Sequence, residues 1–196
     1  MRLYCATTNP GKLREFRLAL QDAFDVQALP ALNSIPIAPE TGETFEANAI
    51  QKALYYSKHC DGLLFVDDSG LEVDALAGSP GVYSARYAGP DTTDEANNRL
   101  VLDRMRGVAN RTARFVCVVA LAESGRLVRT FRGEVEGLLT ESPRGESGFG
   151  YDPLFFYPPF NSTFGEAPLD QKMHVSHRAR SLAALHDYLT AAPAIR

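Results

Sequence analysis

The sequence predicts an α/β protein: a mixed sheet with flanking helices, in two lobes with a central groove. Three observations carry this expectation. Short apolar runs alternate with helix-period stretches early in the chain, and a strand–turn–strand pattern follows later. At 45% hydrophobic residues, the 196-residue chain can bury a real core, and its length suits a single domain over residues 1–196. The longest apolar run, Phe115 to Ala122, is far too short to cross a bilayer.

Leu3 to Ala6 reads as a short buried strand, Thr7 to Lys12 as a turn, and the next stretch as a helix with Leu13, Phe16, Leu20 and Phe24 on one face. Leu29 to Pro39 carries three prolines and reads as a loop or edge segment. A second helix starts near Thr41 or Thr44 and runs toward His59. Its apolar stripe is Phe45, Ala49, Ala53 and Tyr56, and Glu43 and Glu46 suit its positive end. Leu63 to Val66 reads as a strand that ends at Asp67-Asp68, with Ser69-Gly70 turning away. Gly78 to Gly81 is a loop, and Thr92 to Glu95 a capping box for a helix reaching about Met105. Phe115 to Leu121, a turn at Glu123 to Arg126, and Leu127 to Phe131 form a hairpin. A glycine-rich loop, Gly145 to Gly150, leads into Leu154 to Tyr157. The last helix begins near Ser176 and turns Leu182, Leu185 and Leu189 inward.

The net charge of −4 argues against a broad nucleic-acid or anionic-membrane surface, although a small basic pocket remains compatible with it. Cys5, Cys60 and Cys117 are odd in number and lack CxxC spacing, so they read as reduced thiols in a cytoplasmic protein. The apolar stretch near Met1 is too short for a secretory signal.

Charges in unusual places point to chemistry. Two adjacent carboxylates, Asp67 and Asp68, close an apolar strand where open α/β sheets bind ligands. In a regular strand they point to opposite faces, so at most one serves a given site. Thr8-Asn9-Pro10-Gly11-Lys12 joins a strand to a helix start, whose N–H groups and dipole suit phosphate. Lys12 opposes that dipole by about 0.3–1 kcal/mol unless an anion sits there; otherwise it is a solvated lysine. The turn is not a Walker A loop, since Ala6 and Leu13 stand where that motif needs glycine and Ser or Thr. Lys172, His177, Arg178 and Arg180 crowd the start of the last helix. They are either anion or base-carbonyl donors or a solvated basic face. His174 and His177 lack the Cys or His neighbours of a zinc site. Glu40 is a candidate metal carboxylate or a dipole-complementing acid, and Asn48 and Lys52 share one helix face. Phe149, between two glycines, either stacks on a base or plugs a loop core.

Six ordered blocks resemble the inosine triphosphate pyrophosphatase family. They are Thr8 to Lys12; Glu40-Thr41-Gly42 with Phe45, Asn48, Ala49 and Lys52; Asp67 to Leu71; Pro80 to Tyr87; Gly148 to Pro153; and Ser176-His177-Arg178. The resemblance spans essentially the whole chain. It implies a Mg²⁺-dependent hydrolase that converts ITP, dITP and XTP to the monophosphate and pyrophosphate, with an elongated α/β fold, a substrate groove between lobes and usually a homodimeric assembly. It further implies that Thr7, Thr8, Asn9, Pro10, Gly11 and Lys12 cradle the triphosphate with Lys52 and Lys172. Glu40 and Asp68 serve the metal, Asp68 is also the base for water, and Ser69 touches substrate. Phe149, Gly150, Tyr151 and Asp152, with His177 and Arg178, hold the purine. The implied partner is a small nucleoside triphosphate, with neither nucleic acid nor membrane. Pro168 departs from a segment that is often more helical in the family. The competing readings are a Maf-like nucleotide pyrophosphatase of other specificity and a non-catalytic nucleotide-binding module.

Overall fold

A strand-order reversal near the N-terminus places the candidate chemistry. In the computed structural model, which describes residues 1–191, β1 (Arg2–Cys5) lies between β2 (Asp25–Ala28) and β3 (Leu63–Val73) and is parallel to both. Helix α1 (Pro10–Leu20) links β1 to β2, and α2 (Phe45–Tyr56) precedes β3. The chain thus steps to one side of β1 and then to the other. Such a switch point opens a ligand site beyond the carboxyl ends of the strands. The sheet continues with β4 (Thr112–Glu123), β5 (Arg126–Leu139), β6 (Phe155–Tyr157) and β7 (Ser162–Thr163), in the order β2-β1-β3-β4-β5-β6-β7. Because β6 is antiparallel to β5 and β7, the sheet is mixed. The remaining helices are α3 (Asp94–Arg104), α4 (Leu169–Val175) and α5 (His177–Ala191).

Contacts divide the chain into two compact units. Among the described residues, the first holds Met1–Asp68, Cys117–Gly133 and His177–Ala191. Its core gathers Leu3, Phe16, Leu20, Phe65, Val119 and Leu185. Phe16 and Phe65 meet edge to face at 5.0 Å with no solvent exposure, each contributing about 1.5–3 kcal/mol. The second unit holds Ser69–Val116 and Glu134–Ser176, with a core of Leu71, Val101, Phe115, Tyr151, Phe155 and Phe164.

Most of the expected elements form where the periodicity puts them. Thr44 caps α2 by accepting from Ala47 N, and Phe45, Ala49, Ala53 and Tyr56 are buried. The hairpin turn is Ser124-Gly125, both with positive φ, the two-residue geometry that matches strand twist. Pro168 directly precedes α4 and leaves it intact.

Three expectations need correction. Helix α1 ends at Leu20, short of Phe24, which the sequence pattern places on its face, and the chain then forms a strand, β2, that the periodicity does not show. This strand is only 4 residues long with three of them exposed, too little for period-2 patterning. The Asp67-Asp68 strand does not end there, and Ser69-Gly70 is not a turn. β3 is 11 residues long and runs past the 4 residues of β1 because β4, on its other side, has 12. Gly70 serves close approach instead: a Cβ there would lie 2.2 Å from Ser84 Oγ, which accepts from Leu71 N and donates to Gly81 O. The helix expected from a Thr92–Glu95 capping box is capped by Thr93, so Ala96 occupies the position a reciprocal carboxylate would need.

Candidate active site

Asp67 and Asp68 point to opposite faces of β3, as strand geometry requires, and each face has its own cations. Asp67 is buried. Its Oδ1 accepts from Lys12 Nζ of α1 at 2.9 Å, and its Oδ2 accepts from Arg178 Nη2 and Nε of α5 at 3.0 and 3.2 Å. The far side of the Arg178 guanidinium donates from Nη1 to Glu15 Oε2 at 2.5 Å. Gly133 makes this possible. A Cβ there would sit 2.2 Å from the His177 carbonyl and 2.6 Å from Ser181 N, so only glycine lets α5 start so close to β5. Burial pushes the Asp67 carboxyl up, but Lys12 and Arg178, with Lys52, overcome it and hold it well below the usual carboxylate range. The Arg178 guanidinium, desolvated but set between Asp67 and Glu15, is held firmly charged. Cys117 packs beside this network with Sγ 3.8 Å from Asp67 Oδ2. Burial and the neighbouring carboxylate push its thiol up to about 12, which makes it inert.

On the other face, Lys52 Nζ lies 2.7 Å from Asp68 Oδ1 and 3.0 Å from Glu40 Oε1. One ammonium therefore holds together the two carboxylates that the resemblance gives to a metal. The segment carrying Glu40 is tied to α2. Asn48 Oδ1 accepts from Gly42 N at 2.8 Å and Gln51 Oε1 accepts from Thr41 N at 3.1 Å. Asp68 Oδ2 is buried and has no hydrogen-bond partner. Burial raises the Asp68 pKa, and Lys52 only partly offsets it. Two adjacent carboxylates are thus pushed apart: Asp67 is permanently ionised and structural in its contacts, whereas Asp68 is the more basic group.

The turn before α1 is less open to an anion than its sequence suggests. Asn9 caps the helix by accepting from Lys12 N at 3.1 Å, and Pro10 at the first helical position has no N–H. Among the first-turn N–H groups this leaves Gly11 uncapped, with Thr8, Asn9 and Pro10 exposed beside it. The anion facing Lys12 is Asp67, from the protein itself.

In the second unit, Lys172 and Asp152 form a fully buried pair at 2.6 Å. The same Asp152 Oδ2 accepts from Phe149 N at 3.0 Å, and Lys172 Nζ lies 5.1 Å from the centre of the half-exposed Phe149 ring. Tyr151 is buried with its hydroxyl donating to Ser84 O at 2.8 Å. Tyr151 and Asp152 therefore support the loop from within, while Phe149 and Gly150 reach its surface. Ser69 is half-buried on β3, and His177 is buried at the start of α5. The sequence reading did not single out Glu15, Gln51 or Gly133. Only Glu15 left a signal, a three-residue spacing from Lys12 along α1.

The mixed sheet with its switch point defines an α/β protein in which β3 carries two adjacent carboxylates, Asp67 paired with Lys12 and Arg178 and Asp68 with Lys52. The chain belongs to the Ham1 family, whose model matches residues 3–188. It is 49% identical over 186 residues to the dITP/XTP pyrophosphatase of Exiguobacterium sp. (strain ATCC BAA-1283 / AT1b), covering 94% of this chain and 95% of that one. It is 45% identical over 189 residues to the dITP/XTP pyrophosphatase of Bacillus subtilis (strain 168), covering 95% and 96%. The solved structure of the Staphylococcus aureus Ham1 protein superposes with a TM-score of 0.87 at 37% identity, covering 97% of this chain and 99% of that one. The family resemblance read from the six sequence blocks is borne out by these matches.

Proposed function

We propose that this protein is a nucleoside-triphosphate pyrophosphatase that hydrolyses noncanonical purine nucleotides, ITP, dITP and XTP, to the monophosphate and pyrophosphate. Family membership and the dITP/XTP pyrophosphatase relatives support the reaction class. The observation that carries the mechanism is Asp68 Oδ2, a buried carboxylate oxygen with no partner, beside Lys52 and Glu40. An unmade buried hydrogen bond costs about 1–3 kcal/mol or more for a charged group, so this oxygen suits a ligand rather than stability.

The donor set fits Mg²⁺. Glu40 and Asp68 offer hard oxygens already gathered on one cation, and Mg²⁺ takes few protein carboxylates and completes its shell with phosphates and water. Among the described residues no cluster of three or more His, Cys, Asp or Glu offers an all-protein cage. When bound, Mg²⁺ would neutralise phosphate charge. Asp68 orients a water and takes its proton as the water oxygen bonds to phosphorus and the α–β anhydride bond breaks, releasing pyrophosphate. Lys52 holds Asp68 and Glu40 in place and, with the Thr7 to Lys12 turn, counters phosphate charge, while Lys172, buried against Asp152, supports the Phe149 loop instead. Ser69 touches substrate. Phe149 stacks on the purine, supported by Gly150, Tyr151, Asp152 and His177. Arg178, fixed in one orientation by Asp67 and Glu15, is the donor proposed for the 6-oxo group, which adenine lacks. The substrate pool is cytoplasmic and the assembly a homodimer, in keeping with the family resemblance. No helix among the described residues is long and apolar enough to cross a membrane.

The test is pyrophosphate release from ITP, XTP, ATP, GTP and TTP with and without Mg²⁺, using wild type and Asp68→Asn. Fast release from ITP and XTP alone, needing Mg²⁺ and nearly abolished in Asp68→Asn, is expected. Equal rates for GTP and ITP defeat the specificity, and an active Asp68→Asn removes Asp68 from the mechanism.

A further inference from the structure

Helix α3 belongs to none of the blocks discussed above, yet it grips the loop that carries Phe149. Gly150 N donates to Asp94 Oδ2 at 2.6 Å, and Asn98 Nδ2 donates to Gly150 O at 3.0 Å. Asp94 and Asn98 are four residues apart and share one face of α3. Both polar groups of a single loop residue are therefore held by one helix, on a glycine whose φ of +61° other residues rarely adopt.

The loop is anchored at its start, where Ser147 N donates to Gly165 O at 2.8 Å, and is open toward α3. Residues 141–148 are exposed, and a cavity of about 550 Å³ is lined by Asp94, Asn98 and Leu102 from α3 and by Gly145, Phe149 and Pro153 from the loop side. The two hydrogen bonds to α3 join one from Asp152 N to Phe149 O, at 3.3 Å, in fixing the C-terminal side of Phe149. Its N-terminal side is fixed by Asp152, which accepts from Phe149 N. The side chain of Asn98 is odd on stability grounds. It is 6% exposed, and its Oδ1 is buried without a partner. An apolar residue would avoid that unmade bond, so the fold retains an unfavourable amide whose Nδ2 donates to the Gly150 carbonyl.

We infer that Asp94 and Asn98 are positioning residues for base recognition: α3 sets the Gly148–Phe149–Gly150 backbone so that the Phe149 ring is ordered before a purine arrives. Preorganisation lowers the entropy that binding must overcome, so the residues act on affinity for the base and not on the phosphates. This inference rests on the proposal that Phe149 contacts the purine.

The experiment measures steady-state kinetics with ITP, inhibition by tripolyphosphate, and melting temperature for Asn98→Leu, Asp94→Ala, Phe149→Ala and the Asn98→Leu/Phe149→Ala double variant. Asn98→Leu is expected to melt at or above wild type while its KM for ITP rises roughly five- to tenfold, the loss falling on KM more than on kcat. Asp94→Ala, on an exposed residue, repeats the effect if Asn98→Leu folds poorly. Inhibition by tripolyphosphate, which has no base, is expected to stay within twofold. In the double variant the Asn98→Leu effect is expected to vanish, because it acts through Phe149. An unchanged KM in Phe149→Ala overturns the reading that this loop meets the base. If Phe149→Ala raises KM but neither α3 variant does, or if the effects simply multiply, the reading of the loop stands and the role of α3 is overturned. An equal loss of tripolyphosphate affinity also overturns it.

Discussion

Neutralising Asp67 and neutralising Asp68 are expected to have opposite consequences, although the two residues are adjacent. Asp67→Asn removes the charge that faces Lys12 at 2.9 Å and Arg178 at 3.0 and 3.2 Å. Removing one partner from a buried ion pair typically costs about 3–5 kcal/mol, because the other charge stays buried. Arg178 keeps Glu15 and Lys12 is 19% exposed, so the lower end, about 3 kcal/mol, applies here. For a chain of this size each kcal/mol shifts the melting temperature by about 2–4 °C, giving a fall of about 6–12 °C. Asp68→Asn removes a charge that burial already disfavours, and Lys52 keeps Glu40 at 3.0 Å. Its melting temperature is expected to stay within about 3 °C of wild type, or about 1 kcal/mol, while pyrophosphate release from ITP is nearly abolished. Thermal melting of both variants beside the release assay checks this. If Asp67→Asn melts within about 3 °C of wild type, or Asp68→Asn is the less stable of the two, the division into a structural and a reactive carboxylate is wrong.

The pH dependence of stability gives a second check. Asp67 has a folded-state pKa held below its unfolded value of about 3.9, so its contribution is complete above that value and is lost as pH falls through the folded pKa. The melting gap between wild type and Asp67→Asn is expected to be constant from about pH 8 to 5 and to narrow below about pH 4; a gap that widens in acid contradicts it. Gly148→Ala would place a Cβ 2.0 Å from Asp152 Oδ2 on a backbone with φ +79°, disturbing the oxygen that binds Lys172 and Phe149 N. The left-handed conformation alone costs about 1–2 kcal/mol, so KM for ITP is expected to rise roughly tenfold, and an unaltered KM refutes the loop's role. Stripping divalent ions with EDTA is expected to abolish activity, restored by Mg²⁺, while the melting temperature moves by less than about 2 °C, since Lys52 already bridges Glu40 and Asp68. A large fall in melting temperature would mean that the metal is structural.

Local signals in the sequence were strong where one residue determines its own geometry. Thr44 caps α2, Ser124-Gly125 makes the hairpin turn, and strand alternation sends Asp67 and Asp68 to opposite faces. What the sequence could not show is who answers whom across long separations. The basic residues at two helix starts looked like waiting anion sites, but their anions are already in the chain: Asp67 for Lys12, 55 residues away, and Asp67 and Glu15 for Arg178, 111 and 163 residues away. The continuation of β3 past Asp68 was equally hidden, because it depends on the length of β4 and on a glycine that makes room for Ser84. Six ordered blocks identified the family all the same, since a family is read from the residues themselves, without their partners.

The internal pairing changes what the cluster can do for a triphosphate. Lys12 and Arg178 pair with Asp67, Arg178 also with Glu15, and Lys52 with Glu40 and Asp68, so each of these cations already has a carboxylate partner. A bare triphosphate gains less from such paired cations than from free ones. A divalent cation would offset that loss, and Asp68 Oδ2, buried without a hydrogen-bond partner, is the oxygen proposed to receive it. Asp67 then has a purpose that stability alone does not supply. By holding Lys12 and Arg178 on one face of β3, it fixes their orientation and leaves Asp68, on the other face, as the carboxylate still available to a metal or a water. The asymmetry of the aspartate pair thus follows from which face each one occupies.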